Sequence, residues 1–240
     1  MRRKRLIQLG IVTAITAAAI VVILIATGVD GSPPPRPGST RATAIEQSVN
    51  GLLAGIPQDV NVLGNPAAPV TLQWYGDLQC PYCKEFTLGA LPAIIKKWVR
   101  SGKLKIAYRS METATHKRKV FKTQQIAALA AGEQNKMWHF VELFYHEQGE
   151  ENSGYVTENY LQGLANQIPG LNPIQWTSDR SNPELAKQVT TDQQAVHSAG
   201  FRGTPAFQIG RSAGAMRKIK GGSLTNPTPF DEDIEGLLTG

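Results

Sequence analysis

The sequence has almost no cysteine: two residues, Cys80 and Cys83, in a chain of 240. That excludes a small scaffold stapled by several disulfides, and a chain of this length can bury a core without one. Charged side chains are sparse too, at 18% against 41% hydrophobic. The balance is that of an ordinary globular protein and excludes wholesale disorder. A basic face is also missing. The net charge is +6, but residues 1–40 hold five basic side chains against one acidic, and the remaining 200 hold 20 basic against 18 acidic. With the excess at one end there is little to neutralise phosphates, and no nucleic-acid partner is expected. No internal repeat is present.

Charge is absent altogether from residues 6–29, directly after Arg2, Arg3, Lys4 and Arg5. As a helix this stretch would reach about 36 Å, enough to cross a ~30 Å hydrocarbon core. It is longer than the apolar region of a cleaved signal peptide, and Ala26-Thr27-Gly28-Val29 makes a poor cleavage site. Residues 1–29 are therefore expected to form a cytoplasmic basic tail and one transmembrane anchor. The positive-inside rule then sends the rest of the chain outside. Residues 30–41, with prolines at 33, 34, 35 and 37, read as a linker of polyproline character. Residues 42–240 read as the folded domain, with no dedicated dimerisation segment, and are expected to be monomeric.

Within that domain, residues 42–53 carry a short helical pattern and 60–63 a short strand. Residues 70–75 (Val-Thr-Leu-Gln-Trp-Tyr) are a β-branched and aromatic strand. A helix is expected from Pro81 to about Val99, with Leu91, Ile94, Ile95 and Trp98 on one face and a kink at Pro92. Residues 104–108 alternate as a second strand. Helical periodicity then dominates an insertion at about 113–200. It includes Met137, Phe140, Val141 and Phe144, then Leu161, Leu164, Ala165 and Ile168. Last comes a helix opened by Asn182-Pro183 and closed by Gly200. Residues 206–209 and 216–219 read as a hairpin, and Thr228-Pro229 opens a final helix. The order is βαβ, a helical insertion, then ββα: an α/β fold.

Cys80-Pro81-Tyr82-Cys83 stands where the first long strand meets its helix. As half of a zinc site it needs two more ligands, and His116, His139, His146 and His197 lack the usual spacing. As a c-type haem site it would need histidine where Lys84 stands. A purely structural disulfide is the bland alternative, but a bridge closing so short a loop adds little stability. A redox-active dithiol fits the strand–turn–helix context and a compartment that permits disulfides. Cys80 at the helix N-terminus is then the attacking sulfur, favoured as thiolate by unpaired N–H groups. Cys83, one turn deeper, is the resolving thiol. Pro81 in the first turn removes an N–H that would be unpaired there.

The strand–C-P-Y-C–helix unit, the helical insertion and Gly203-Thr204-Pro205-Ala206-Phe207 before the hairpin resemble the DsbA family of thioredoxin-fold proteins. So does the approach Gly64-Asn65-Pro66-Ala67-Ala68-Pro69-Val70-Thr71-Leu72. The resemblance runs from about Val60 to the C-terminus. It implies a thioredoxin fold with a helical cap, and a cis Pro205, preceded by Thr204, that faces the dithiol and presents backbone to a substrate chain. Pro81 and Tyr82 would tune the dithiol. One departure stands out. Members often carry an acid six positions before the first cysteine, and here that position is Trp74. Asp77 lies nearer the dithiol and reads as a loop acid near the helix start.

The resemblance implies an extracytoplasmic, membrane-anchored thiol:disulfide oxidoreductase. It would introduce disulfides into reduced, unfolded exported proteins and be reoxidised by a membrane partner, a quinone-linked oxidase. No cofactor and no metal is implied. The alternatives are a reductase or isomerase of the same fold, and a holdase or assembly factor whose disulfide is incidental.

Overall fold

The computed structural model describes residues 39–219 and 222–240. The expected anchor and all of the linker up to residue 38 lie outside the described residues. Among the described residues no helix is long and apolar enough to cross a membrane. Ser39 accepts from the Ala42 N–H at 3.2 Å and opens α1 (Thr40–Leu53), two residues ahead of the expected boundary. The carbonyls that a helix leaves unpaired at its C-terminus are taken by Arg100, whose guanidinium donates to Gly51, Leu52 and Ala54 at 2.7–3.0 Å.

The strand expected over 60–63 is instead a minimal hairpin, β1 (Gln58–Asp59) and β2 (Val62–Leu63). Val60 turns it with φ 48°, a conformation a β-branched residue seldom adopts. Tertiary bonds hold the turn. Asn61 Nδ2 donates to the Tyr108 carbonyl, while the Asn61 carbonyl accepts from Tyr108 N–H and Trp138 Nε1. None of these is local, so the pattern of residues 60–63 alone points to strand.

Next come β3 (Val70–Gly76) and α2 (Pro81–Leu88). The expected continuous helix to Val99 is broken at Gly89, not kinked at Pro92. The Ala90 N–H donates to the Leu224 carbonyl at 3.0 Å, and a Cβ on Gly89 would lie 2.6 Å from that oxygen. A loop from the far end of the chain thus crosses the helix and splits it. The helix resumes as α3 (Leu91–Ile94), with Pro92 in its first turn, and continues as a π-helical turn, Ile95–Val99. β4 (Leu104–Ser110) follows.

The insertion holds α4 (Arg118–Gly132), α5 (Met137–His146), α6 (Glu158–Asn166), α7 (Pro173–Asp179) and α8 (Pro183–Ala199). Ile168 falls beyond α6 but is still buried. α7 is not expected from the residue pattern, because seven residues are too few to show an apolar period. Asn172 caps it, and its Trp176 is fully buried and donates to the Ala127 carbonyl at 2.8 Å. Gly200 ends α8 in the left-handed region at φ 64°. The chain closes with β5 (Ala206–Arg211), β6 (Arg217–Lys218) and α9 (Thr228–Thr239).

The sheet order is β1-β2-β4-β3-β5-β6. β3 is parallel to β4 and antiparallel to β5, so that Trp74 has Tyr108 on one side and Phe207 on the other. α8 docks on the end of β4 through Asp192, 1% exposed, which accepts from Ser110 N–H and Arg109 Nη1, both at 2.9 Å. The end of β3 runs straight into the loop that carries Cys80.

Candidate functional site

Cys80 is the N-cap of α2, with extended backbone (φ −72°, ψ 121°), and Pro81 opens the first turn. The Cys80 N–H donates to the Asp77 carbonyl at 2.9 Å, and Lys84 N–H returns to the Cys80 carbonyl at 3.2 Å. Both cysteines are free thiols. Cys80 is 4% exposed and Cys83 not at all, so Cys80 is the more accessible of the two sulfurs, and Tyr82 between them is 60% exposed. Thr204 and Pro205 come from the far end of the chain to the same place. The Thr204–Pro205 bond is cis, and Cys80 Sγ donates to the Thr204 carbonyl at 3.4 Å.

The acidities of the two sulfurs are pulled apart. The hydrogen bond from the Cys83 thiol lowers the Cys80 pKa most. Burial opposes it, and the Thr204 side chain and the backbone N–H groups of Cys83 and Tyr82 add to the lowering, bringing Cys80 from 9.0 to about 6. Those backbone donors are the unpaired N–H groups of a helix start. Burial pushes Cys83 the other way, well above the ordinary thiol range, and its bond to Cys80 and the Cys80 charge reinforce this. A charge on the pair therefore sits on Cys80 while Cys83 keeps its proton.

Trp74 fills the place where the resemblance leads one to look for an acid. It is fully buried, with ring centroids 5.0 Å from Tyr108, 5.2 Å from Phe86, 5.8 Å from Tyr145 and 6.1 Å from Trp138. Its Nε1 has no partner. This strand position supplies an aromatic wall and no carboxylate.

Asp77 stands in the loop just before the helix start, as expected, and it is also a fully buried hub. Its Oδ2 accepts from the N–H groups of Thr113, Ala114 and Thr115 at 2.8–3.1 Å. Its Oδ1 accepts from Thr115 Oγ1, Gln79 N–H and Gln124 Nε2 at 2.6–3.2 Å. A buried carboxylate is tolerable because its lone pairs are taken in this way. Two further groups around the dithiol have no signal in the linear sequence. Gln148 Nε2 donates to the carbonyls of Leu78 and Cys80 at 2.7 and 3.2 Å. Thr113 Oγ1 lies 2.6 Å from Thr204 Oγ1. Among the described residues no three His, Cys, Asp or Glu side chains are grouped to hold a metal ion. The arrangement suits thiol–disulfide exchange: a low-pKa thiol at a helix start, a buried thiol one turn on, and a backbone carbonyl beside the first sulfur.

Comparisons with known proteins agree with this arrangement. A family model described as thioredoxin matches residues 58–216. Disulfide bond formation protein D of Bacillus subtilis is 28% identical over 153 residues, which is 62% of this chain and 66% of that protein's length. Among solved structures, oxidised BdbD from Bacillus subtilis superposes with a TM-score of 0.64 at 24% identity, covering 78% of this chain and 98% of that one. Wolbachia pipientis alpha-DsbA1 superposes with a TM-score of 0.61 at 20% identity, covering 79% and 95%. These likenesses establish the thioredoxin-like fold with its helical insertion.

Proposed function

The chain belongs to the thioredoxin family and is a thiol–disulfide oxidoreductase, and from that premise we propose that it oxidises cysteine pairs of exported proteins outside the cytoplasmic membrane. A substrate thiolate attacks Sγ of Cys80 in the Cys80–Cys83 disulfide. The S–S bond breaks, its electron pair goes to Cys83, and Cys83 takes a proton. The second substrate thiolate then attacks the substrate sulfur of the mixed disulfide and expels Cys80 as thiolate. The substrate has lost two electrons and the dithiol has gained them. A membrane partner carrying a stronger oxidant, quinone-linked in kind, restores the disulfide. Thr204 and Pro205 present backbone to the substrate segment, and Pro81 and Tyr82 shape the approach to Cys80.

The asymmetry of the two thiols carries this reading. A thiol of pKa about 6 is a good leaving group in the second exchange. It also stabilises the reduced dithiol, by about 1.4 kcal/mol at pH 7 against an ordinary thiol, which raises the potential by about 30 mV. The basic run and the uncharged stretch over residues 6–29 support an N-terminal anchor with the folded domain outside. Equilibration of the purified protein with glutathione tests the direction. The expected potential is less negative than that of thioredoxin, about −270 mV. A value at or below it would assign the protein to the reductive reading. External protease on intact cells tests the topology, and a domain that resists cleavage near residues 33–38 until lysis would reverse the orientation.

A further inference from the structure

We propose that Gln148 is a positioning residue for Cys80: its side-chain amide clamps the turn ahead of α2 by two backbone carbonyls, so that a residue of the helical insertion sets how the attacking sulfur is aimed. The inference rests on Cys80 being the attacking thiol. The two protons of one amide group go to two carbonyls of the same turn, Leu78 at 2.7 Å and Cys80 at 3.2 Å. A peptide group is planar, so holding its carbonyl also sets its N–H, which points the opposite way. The peptide between Leu78 and Gln79 is held at both ends, its carbonyl by Gln148 and its N–H by Asp77 Oδ1 at 3.1 Å. The peptide after Cys80 cannot be held in this way, because Pro81 has no N–H. Its orientation rests on the Cys80 carbonyl, which accepts from Gln148 and from the Lys84 N–H, both at 3.2 Å.

That orientation is the ψ of Cys80, 121°, and together with φ it decides where Sγ lies against the first turn of α2 and against the Thr204 carbonyl 3.4 Å away. The Lys84 bond is the first bond of the helix itself, present at any helix start. Gln148 is the addition, and it comes from outside the strand–helix unit, directly after α5. Its own N–H donates to the Tyr145 carbonyl at 3.4 Å. The Tyr145 hydroxyl donates to the Asp77 carbonyl at 3.1 Å, the same oxygen that accepts from the Cys80 N–H at 2.9 Å. Lys84 Nζ, one turn into α2, donates back to the Gln148 carbonyl at 3.4 Å. The end of α5 thus grips the carbonyls of Asp77, Leu78 and Cys80, and a slip of this segment is felt at the sulfur.

The experiment titrates the thiolate absorbance of the reduced full-length protein and of the variants Gln148→Met, Gln148→Ala and Gln134→Met. At position 148, Met keeps the length of the side chain without the donors, and Ala removes both. Gln134 is the control. Its side chain also makes two hydrogen bonds to backbone, with the carbonyl and the N–H of Asn172 at 3.1 and 2.8 Å, so its loss is of the same kind but leaves residues 77–80 untouched. Both Gln148 variants should raise the Cys80 midpoint by about one unit, the scale of one misaligned hydrogen bond to a charged group. They should also slow alkylation of Cys80 several-fold at pH 5, where an about tenfold smaller thiolate fraction outweighs the gain in nucleophilicity. Gln134→Met should match the parent. A midpoint unmoved in both Gln148 variants, or moved as far by Gln134→Met, overturns the role of Gln148 and leaves the reading of the dithiol standing. A parent protein in which the reagent takes Cys83 rather than Cys80 overturns the assignment of the attacking sulfur, and this inference with it.

Discussion

Replacing Cys80 by serine should cost the reduced protein stability in a pH-dependent way, and the sign follows from the site. Cys80 titrates at about 6 in the folded protein and at about 8.5 in an unfolded chain. Its acidity is raised by folding, so its contribution is fully present above the unfolded value and is lost as pH falls through 6. Between pH 5 and pH 8 the folded, reduced protein should gain about 2.5 kcal/mol over Cys80→Ser. For a domain of this size that is a gap in melting temperature of roughly 5–10 °C at pH 8, closing to nothing at pH 5. Other groups titrate over the same interval. Burial raises Glu142 to about 8 and Glu147 to about 7, and lowers His139 to about 4. They are common to both proteins and cancel in the difference. Cys83 stays protonated throughout, because burial holds its pKa well above the ordinary thiol range. The assay is denaturant or thermal unfolding of both proteins under strong reductant at pH 5, 6, 7 and 8. Curves that run parallel, or a gap that widens toward low pH, would refute the stabilised Cys80 thiolate and with it the oxidising bias.

Other substitutions test other parts of the molecule. Glu142 is 1% exposed and has no partner for Oε1, and burial raises its pKa to about 8, so it is neutral in the fold and its cost grows as pH rises from about 4.5 toward 8. Glu142→Gln should therefore stabilise by about 3 kcal/mol at pH 7 and by almost nothing at pH 4, as read by unfolding at the two pH values. In Gly89→Ala the new Cβ would meet the backbone carbonyls of Leu224 and Glu85 at 2.6 and 2.7 Å. Neither can swing aside as a side chain does, and a loss of about 1–3 kcal/mol is expected in denaturant melts. Unchanged stability would show that the crossing loop is not held there. Cys83→Ser should form mixed disulfides through Cys80 with a disulfide-bearing peptide, visible on non-reducing gels and released only by added thiol, whereas Cys80→Ser should form none.

Much of the architecture is legible in the residues themselves because it depends on neighbours in the chain. The β-branched run 70–75 makes a strand wherever a sheet will accept it. Pro81, Asn182-Pro183 and Gly200 mark helix ends through their own backbone preferences. The i, i+3, i+4, i+7 spacing of Met137, Phe140, Val141 and Phe144 gives α5 an apolar face. The place of the dithiol, at the junction of β3 and α2, is local in the same sense.

What only the tertiary structure decided has a common cause: partners far apart in sequence. The helix after Cys83 breaks at Gly89 because Leu224 crosses it, and Val60 turns with positive φ because Tyr108 and Trp138 hold Asn61. Asp77 looks like any acid beside a helix start, and nothing near it in the chain foretells six donors, four of them from residues 113–115 and one from Gln124. Thr113 carries no motif, yet it meets Thr204 across 91 residues. Backbone preference and apolar periodicity are written along the chain and read with it. A hydrogen bond between distant residues exists only once the sheet and the insertion have closed, so burial and partnership, which set the acidity of Cys80 and the place of Asp77, are properties of the folded protein.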